Sequence, residues 1–132
     1  MDNAKTEEVQ QWIAKSQRDL KAAQLLLNTE EPLLDIAVYH CQQSAEKALK
    51  GYLVSQDMIF QKTHDLDVLL DLCAKSEPAF QSLAIITDVL TPYGSKFRYP
   101  GDAFEPERSD VVEAVEMAST VLNFVTQQLP LA

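Results

Sequence analysis

The chain has 132 residues, 46% of them hydrophobic, with two cysteines and a formal net charge of −9 from 20 acidic against 11 basic side chains. That length carries one domain whose core needs no disulfide or metal to fold, and three glycines with six prolines leave little material for a tight-turned β architecture. The acidic balance excludes an extended nucleic-acid surface, which must neutralise many phosphates, while leaving room for a small basic pocket.

The opening MDNAKTEEVQQW has no basic region followed by an apolar one, and no stretch reaches bilayer length, so a cytoplasmic protein without membrane association is expected. Thr6, followed by Glu7 and Glu8, reads as the cap of a first helix running to about Leu27, with Val9, Trp12, Ile13, Leu20, Ala23 and Leu27 at helical spacing. Asn28 to Pro32 supplies the turn.

A second helix is predicted from about Leu34 to Gln56. Its segment AVYHCQQSAEKALKGYL places Val38, Cys41, Ala45, Ala48, Leu49 and Tyr52 on one face and His40, Gln43, Lys47 and Lys50 on the other. Gln42 breaks the pattern by projecting toward the apolar arc, where its amide requires hydrogen-bond partners. Ser44, Ala45 and Ala48 are small enough to admit a close antiparallel neighbour, the first helix. Cys41 and Cys73 fall at apolar phases and are expected as buried free thiols. His40 beside Cys41 is not evidence for a catalytic pair, because adjacent helical positions point about 100° apart.

Thr63 is the expected cap of a third helix burying Leu66, Leu69, Leu70 and Cys73, with His64 and Asp65 at its entrance. Pro78 fits the first position of a short fourth helix with Phe80, Leu83, Ala84 and Val89 as its apolar face. Thr91 to Glu107, TPYGSKFRYPGDAFEPE, holds three prolines and two glycines and reads as a long loop of the kind that carries function. Ser109, with Asp110 behind it, is the expected cap of the last helix, in which Val111, Val115, Ala118, Leu122, Val125 and Leu129 repeat at spacings of four and three. The expected fold is all-α: one domain over 1–132, an up-and-down four-helix bundle with an additional short helix. Val112, Met117 and Phe124 widen the apolar surface of the last helix, which predicts a homodimer. Phosphate-loop, zinc and nucleophile-elbow patterns are all missing, so neither a cofactor nor a metal is expected.

QQSAEKALKGYL at 42 to 53, THDLDVLL at 63 to 70 and KFRYP at 96 to 100 occur in this order on these elements, and together they resemble the HEPN domain family. The resemblance covers nearly the whole chain. It implies an all-α bundle, frequent dimerisation, and association with nucleotides or with minimal nucleotidyltransferases. Many relatives in the wider group are metal-independent ribonucleases that carry an arginine followed after four to six residues by a histidine. Arg18, Arg98 and Arg108 all lack that histidine here, so the acid–base role is unfilled.

Lys47 and Lys50, with Gln43 on the same surface, are candidates to join Arg98 from the loop in a donor cluster for a phosphate or carboxylate. The competing reading has both lysines solvated and Arg98 paired with Glu46, Asp102 or Glu105. His64 is either a pocket donor or a hydrogen-bonded structural residue, and Tyr93, Phe97 and Tyr99 either stack on a base or anchor the loop. The ligand-binding set is therefore Gln43, Lys47, Lys50, His64, Arg98 and Tyr99. The expected function is non-catalytic binding of a nucleotide or similar anion beside a nucleotidyltransferase partner. The alternatives are a ribonuclease toxin of a toxin–antitoxin pair with a diverged site, and a purely structural dimeric interaction module.

Overall fold

Asp2, not Thr6, opens the first helix: its carboxylate accepts from the Lys5 amide at 2.8 Å, so α1 runs Asn3–Leu27, one turn earlier than expected. The computed structural model describes residues 1–101 and 105–130. Among them the chain is all-helical, with α2 at Leu34–Ser55, α3 at Leu66–Ser76, a short α4 at Ala84–Leu90 and α5 at Arg108–Gln128. Short 3₁₀ turns at Pro78–Leu83 and Thr91–Gly94 flank α4.

The two other expected caps also shift by two residues. Asp65 rather than Thr63 caps α3, accepting from the Asp67 amide at 2.9 Å while Thr63 accepts from the Asp65 amide at 3.1 Å. Glu107 and Asp110 form a reciprocal capping box on α5, displacing Ser109 into the helix. At the fourth segment the buried residues are Phe80, Leu83, Thr87 and Leu90, whereas Ala84 and Val89 are exposed. The cause is pitch: the 3₁₀ turn advances three residues per turn, so the α-helix that follows starts at a different phase.

α2 is the central helix, packing against α1, α5, α3 and the Thr91–Gly94 turn. Its small residues permit this. Ser16 and Ser44 are both fully buried and exchange bonds across the α1–α2 seam, each hydroxyl donating to the other's carbonyl at 2.7 and 2.9 Å. A Cβ on Gly51 would meet the Trp12 Cβ at 3.0 Å, so the helices approach there as closely as glycine allows. Phe80 is fully buried between Tyr52 of α2 and Phe124 of α5, with ring centroids 4.5 and 4.9 Å away. Of the residues expected to widen the outer face of α5, Val112 is exposed, while Met117 and Phe124 pack against the core. Both thiols are free and buried, and burial pushes Cys41 and Cys73 up to about 12, leaving them protonated and unreactive. Among the described residues no helix is long and apolar enough to cross a membrane.

Candidate functional site

The polar face of α2 is built from two carboxylates, each gripped by one lysine and one histidine. Asp19, on α1, accepts from Lys47 Nζ at 2.6 Å through one oxygen and contacts His40 Nδ1 at 2.8 Å through the other. Glu46, buried to 4% exposure, takes Lys50 Nζ at 3.1 Å and His64 Nδ1 at 2.8 Å. A carboxylate accepts, which assigns the histidine Nδ1 as donor in both pairs.

Gln42 belongs to the second cluster. It is fully buried, donates to the His64 carbonyl at 2.9 Å and to Glu46 at 3.3 Å, and accepts from Gln43 at 2.8 Å. The amide that breaks the apolar pattern of α2 is thus completely satisfied, and it ties α2 to the entrance of α3. A Cβ on Gly94 would come within 3.1 Å of the Gln42 side-chain carbon, so the 3₁₀ turn after α4 presses on the same amide.

Both lysines are paired with carboxylates. Lys50 is only 7% exposed, with its ammonium 5.9 Å from the Phe60 ring centre, and the half-buried Lys47 is held by Asp19. Arg98 goes elsewhere: its guanidinium carbon lies 3.6 Å from the centre of the Tyr39 ring. Among the described residues it makes no ion pair with Glu46 or Glu105; Asp102 lies outside them. Tyr99 is exposed.

Arg98, Tyr39 and His40 line one cleft of about 390 Å³ together with Asp35, Ile36 and Phe97. Phe97 adopts a left-handed backbone, φ 71°, which is strained for a bulky side chain. Its ring stacks on Tyr93 at 6.4 Å, with the Lys96 ammonium 5.0 Å away. The loop is thereby folded back so that Arg98 reaches α2. Stacking a guanidinium flat on a ring leaves its N–H edge available, and that edge matches the geometry of phosphate oxygens.

Five of the six predicted site residues divide into three groups, and the sixth, Tyr99, is exposed. Gln43, Lys50 and His64 meet around Gln42 and Glu46; Lys47 connects to the cleft through Asp19 and His40; Arg98 lies in the cleft. The residues that sequence reasoning missed are Asp35, Ile36, Tyr39 and His40. Their spacing on α2 does place them on adjoining faces, but only the loop's return over Tyr39 turns those faces into a wall. No group of three or more histidine, cysteine, aspartate or glutamate side chains suited to a metal ion occurs among the described residues.

The architecture defines a helical-bundle domain with a polar cleft between its central helix and a returning loop. The HEPN domain family model matches residues 9–128, and the chain belongs to that family, a nucleotide-binding and ribonuclease-like fold. Among solved structures it is similar to TT1696 from Thermus thermophilus, with 26% identity, a TM-score of 0.76, and coverage of 92% of this chain and 98% of that one. It is also similar to ST0689, an archaeal HEPN homologue, with 28% identity, a TM-score of 0.72, and coverage of 91% and 96%. No curated protein sequence matches the chain.

Proposed function

We propose that this HEPN domain is a non-catalytic binder of a nucleotide or related phosphate ligand that acts beside a minimal nucleotidyltransferase partner, as a homodimer. The observation that carries the binding reading is Arg98 stacked on Tyr39 within the 390 Å³ cleft. A cation already desolvated on one face and held in orientation costs little further entropy when a phosphate arrives. Phe97 supplies an aromatic surface for a base, and Asp35 an acceptor for a sugar hydroxyl. Lys47 serves through Asp19, which fixes His40; Lys50, His64 and Gln43 hold α3 against the wall of the site. The partner and the dimer rest on the family's habits, and sedimentation of the chain alone and with a nucleotidyltransferase tests both.

A thermal melt against a panel of nucleoside mono-, di- and triphosphates checks the binding. At a ligand concentration about one hundred times Kd, linkage adds about 2.7 kcal/mol, a rise of several degrees in Tm. No shift with any member at millimolar concentration would remove the proposal.

A ribonuclease with a diverged site is the second reading, and one observation favours it. His40, held through Nδ1 by Asp19, lines the same cleft as Arg98, so an imidazole and an arginine share one cleft without the sequence motif. Total RNA left intact by high protein concentrations excludes it; cleavage abolished by His40→Ala supports it over nucleotide binding alone.

A further inference from the structure

α3 and α4 present large apolar side chains outward. Ile85 is 78% exposed, Ile59 ahead of α3 is 95% exposed, and Val68 and Val89 are exposed as well. Two grooves flank α3 and meet at Asp71. One, of about 410 Å³, runs between α3 and α4 and is lined by Asp67, Leu70, Asp71, Ile85, Asp88 and Val89. The other, of about 380 Å³, lies on the far side of α3 against Ile59, Phe60, Val68 and Leu72, with Lys75 at its edge. Apolar floors of this kind on a small domain mark contact surfaces.

The rim has one dominant sign. Asp67, Asp71 and Asp88 make no ion pair with a lysine or arginine among the described residues, and Asp67 accepts the Thr87 hydroxyl at 2.7 Å. Desolvation raises the Asp67 carboxyl above its ordinary range, the charges of Asp88 and Asp65 add to that, and the Thr87 bond opposes it. These acids crowd one rim, with no lysine or arginine of the described residues at ion-pair distance.

We propose that this face of α3 and α4 docks a basic amphipathic helix of another protein, its apolar side chains entering the two grooves and its lysines or arginines meeting Asp67, Asp71 and Asp88. Charge decides against a second copy of this chain. Self-pairing about a twofold axis sets a patch of three acids and one lysine against itself, on a chain of net charge −9. Helix-in-groove recognition needs the apolar anchors and the complementary rim that are both present here. The proposal stands independently of what the Arg98 cleft binds.

Fluorescence anisotropy with two labelled synthetic helices tests it on the full chain, one helix with leucine and lysine faces and the other with leucine and glutamate faces. The lysine helix binds saturably and the glutamate helix does not. Ile85→Ser with Asp88→Asn, both exposed positions, weakens binding at least tenfold, a loss typical of an interface anchor. Glu30→Gln, exposed on the α1–α2 turn, leaves it unchanged. Absence of saturable binding, or equal weakening by Glu30→Gln, overturns the proposal. So does a dimer of the chain, seen by sedimentation, that Ile85→Ser dissolves.

Discussion

Glu46→Ala lowers the unfolding free energy by about 3–5 kcal/mol, because it removes one partner of a buried charge pair and leaves the other behind. Lys50 is 7% exposed and its ammonium is tied to Glu46; with the carboxylate gone, that cation stays in the interior without its counter-charge. The same substitution takes Glu46 from the largely exposed His64 Nδ1 and the longer of its two bonds from Gln42 Nε2, which keeps the His64 carbonyl. The double variant Glu46→Ala with Lys50→Met recovers much of the loss, since no orphaned charge remains and methionine fills the space beside Phe60. Urea denaturation of the four proteins of this cycle measures the coupling. A double variant no more stable than Glu46→Ala would contradict the buried-pair account and assign the cost to Gln42 and His64 alone.

Phe80→Ala is expected to cost about 3–5 kcal/mol as well, by a different mechanism. Phe80 is the largest fully buried side chain among the described residues, and it stands between Tyr52 and Phe124, so truncation empties the junction of α2, α5 and the 3₁₀ turn that precedes α4. The neighbouring rings are themselves anchored on helices and cannot collapse into the space. Native stability of about 5–15 kcal/mol makes either loss a large fraction of the whole, and Tm should fall on the order of 10 °C or more. Phe80→Leu retains most of the volume and costs less than about 1.5 kcal/mol. If alanine and leucine destabilise equally, the ring contacts rather than the filled volume are what matter.

The bundle was legible in the sequence because its signal is periodic. Leu66, Leu69, Leu70 and Cys73, or Val111, Ala118, Leu122 and Val125, recur at helical spacing and are buried as that spacing predicts. Helix starts were less legible, since Asp2 and Thr6, Thr63 and Asp65, and Glu107 and Ser109 are rival caps a few residues apart, and the choice depends on which amide each side chain reaches. The phase of the α4 segment was hidden by the 3₁₀ turn before it.

The site was legible only in its parts. Arg98 stood out as a cation in a loop rich in proline and glycine, and Lys47 and Lys50 as cations on one helical face. Their partners could not be read, because Asp19, Tyr39 and Glu46 become partners only through tertiary packing. Once packed, Asp19 and Glu46 engage both lysines, and Tyr39 receives Arg98. The proposed anion site thereby contracts from a three-cation cluster to one arginine over Tyr39 beside a histidine held by Asp19. Gln42 illustrates the same limit: its burial was evident from helical phase, while its partner, the His64 carbonyl, lies on the next element.

Calorimetric titration of the intact chain and of Arg98→Ala with the nucleotide giving the largest thermal shift tests the central claim most directly. Arg98 is exposed and its removal leaves the core untouched, so the variant folds and any lost heat reports the site. A saturable exothermic isotherm for the wild type, weakened at least tenfold by Arg98→Ala, is the predicted result. Identical isotherms for the two proteins, or no heat from either, would contradict it.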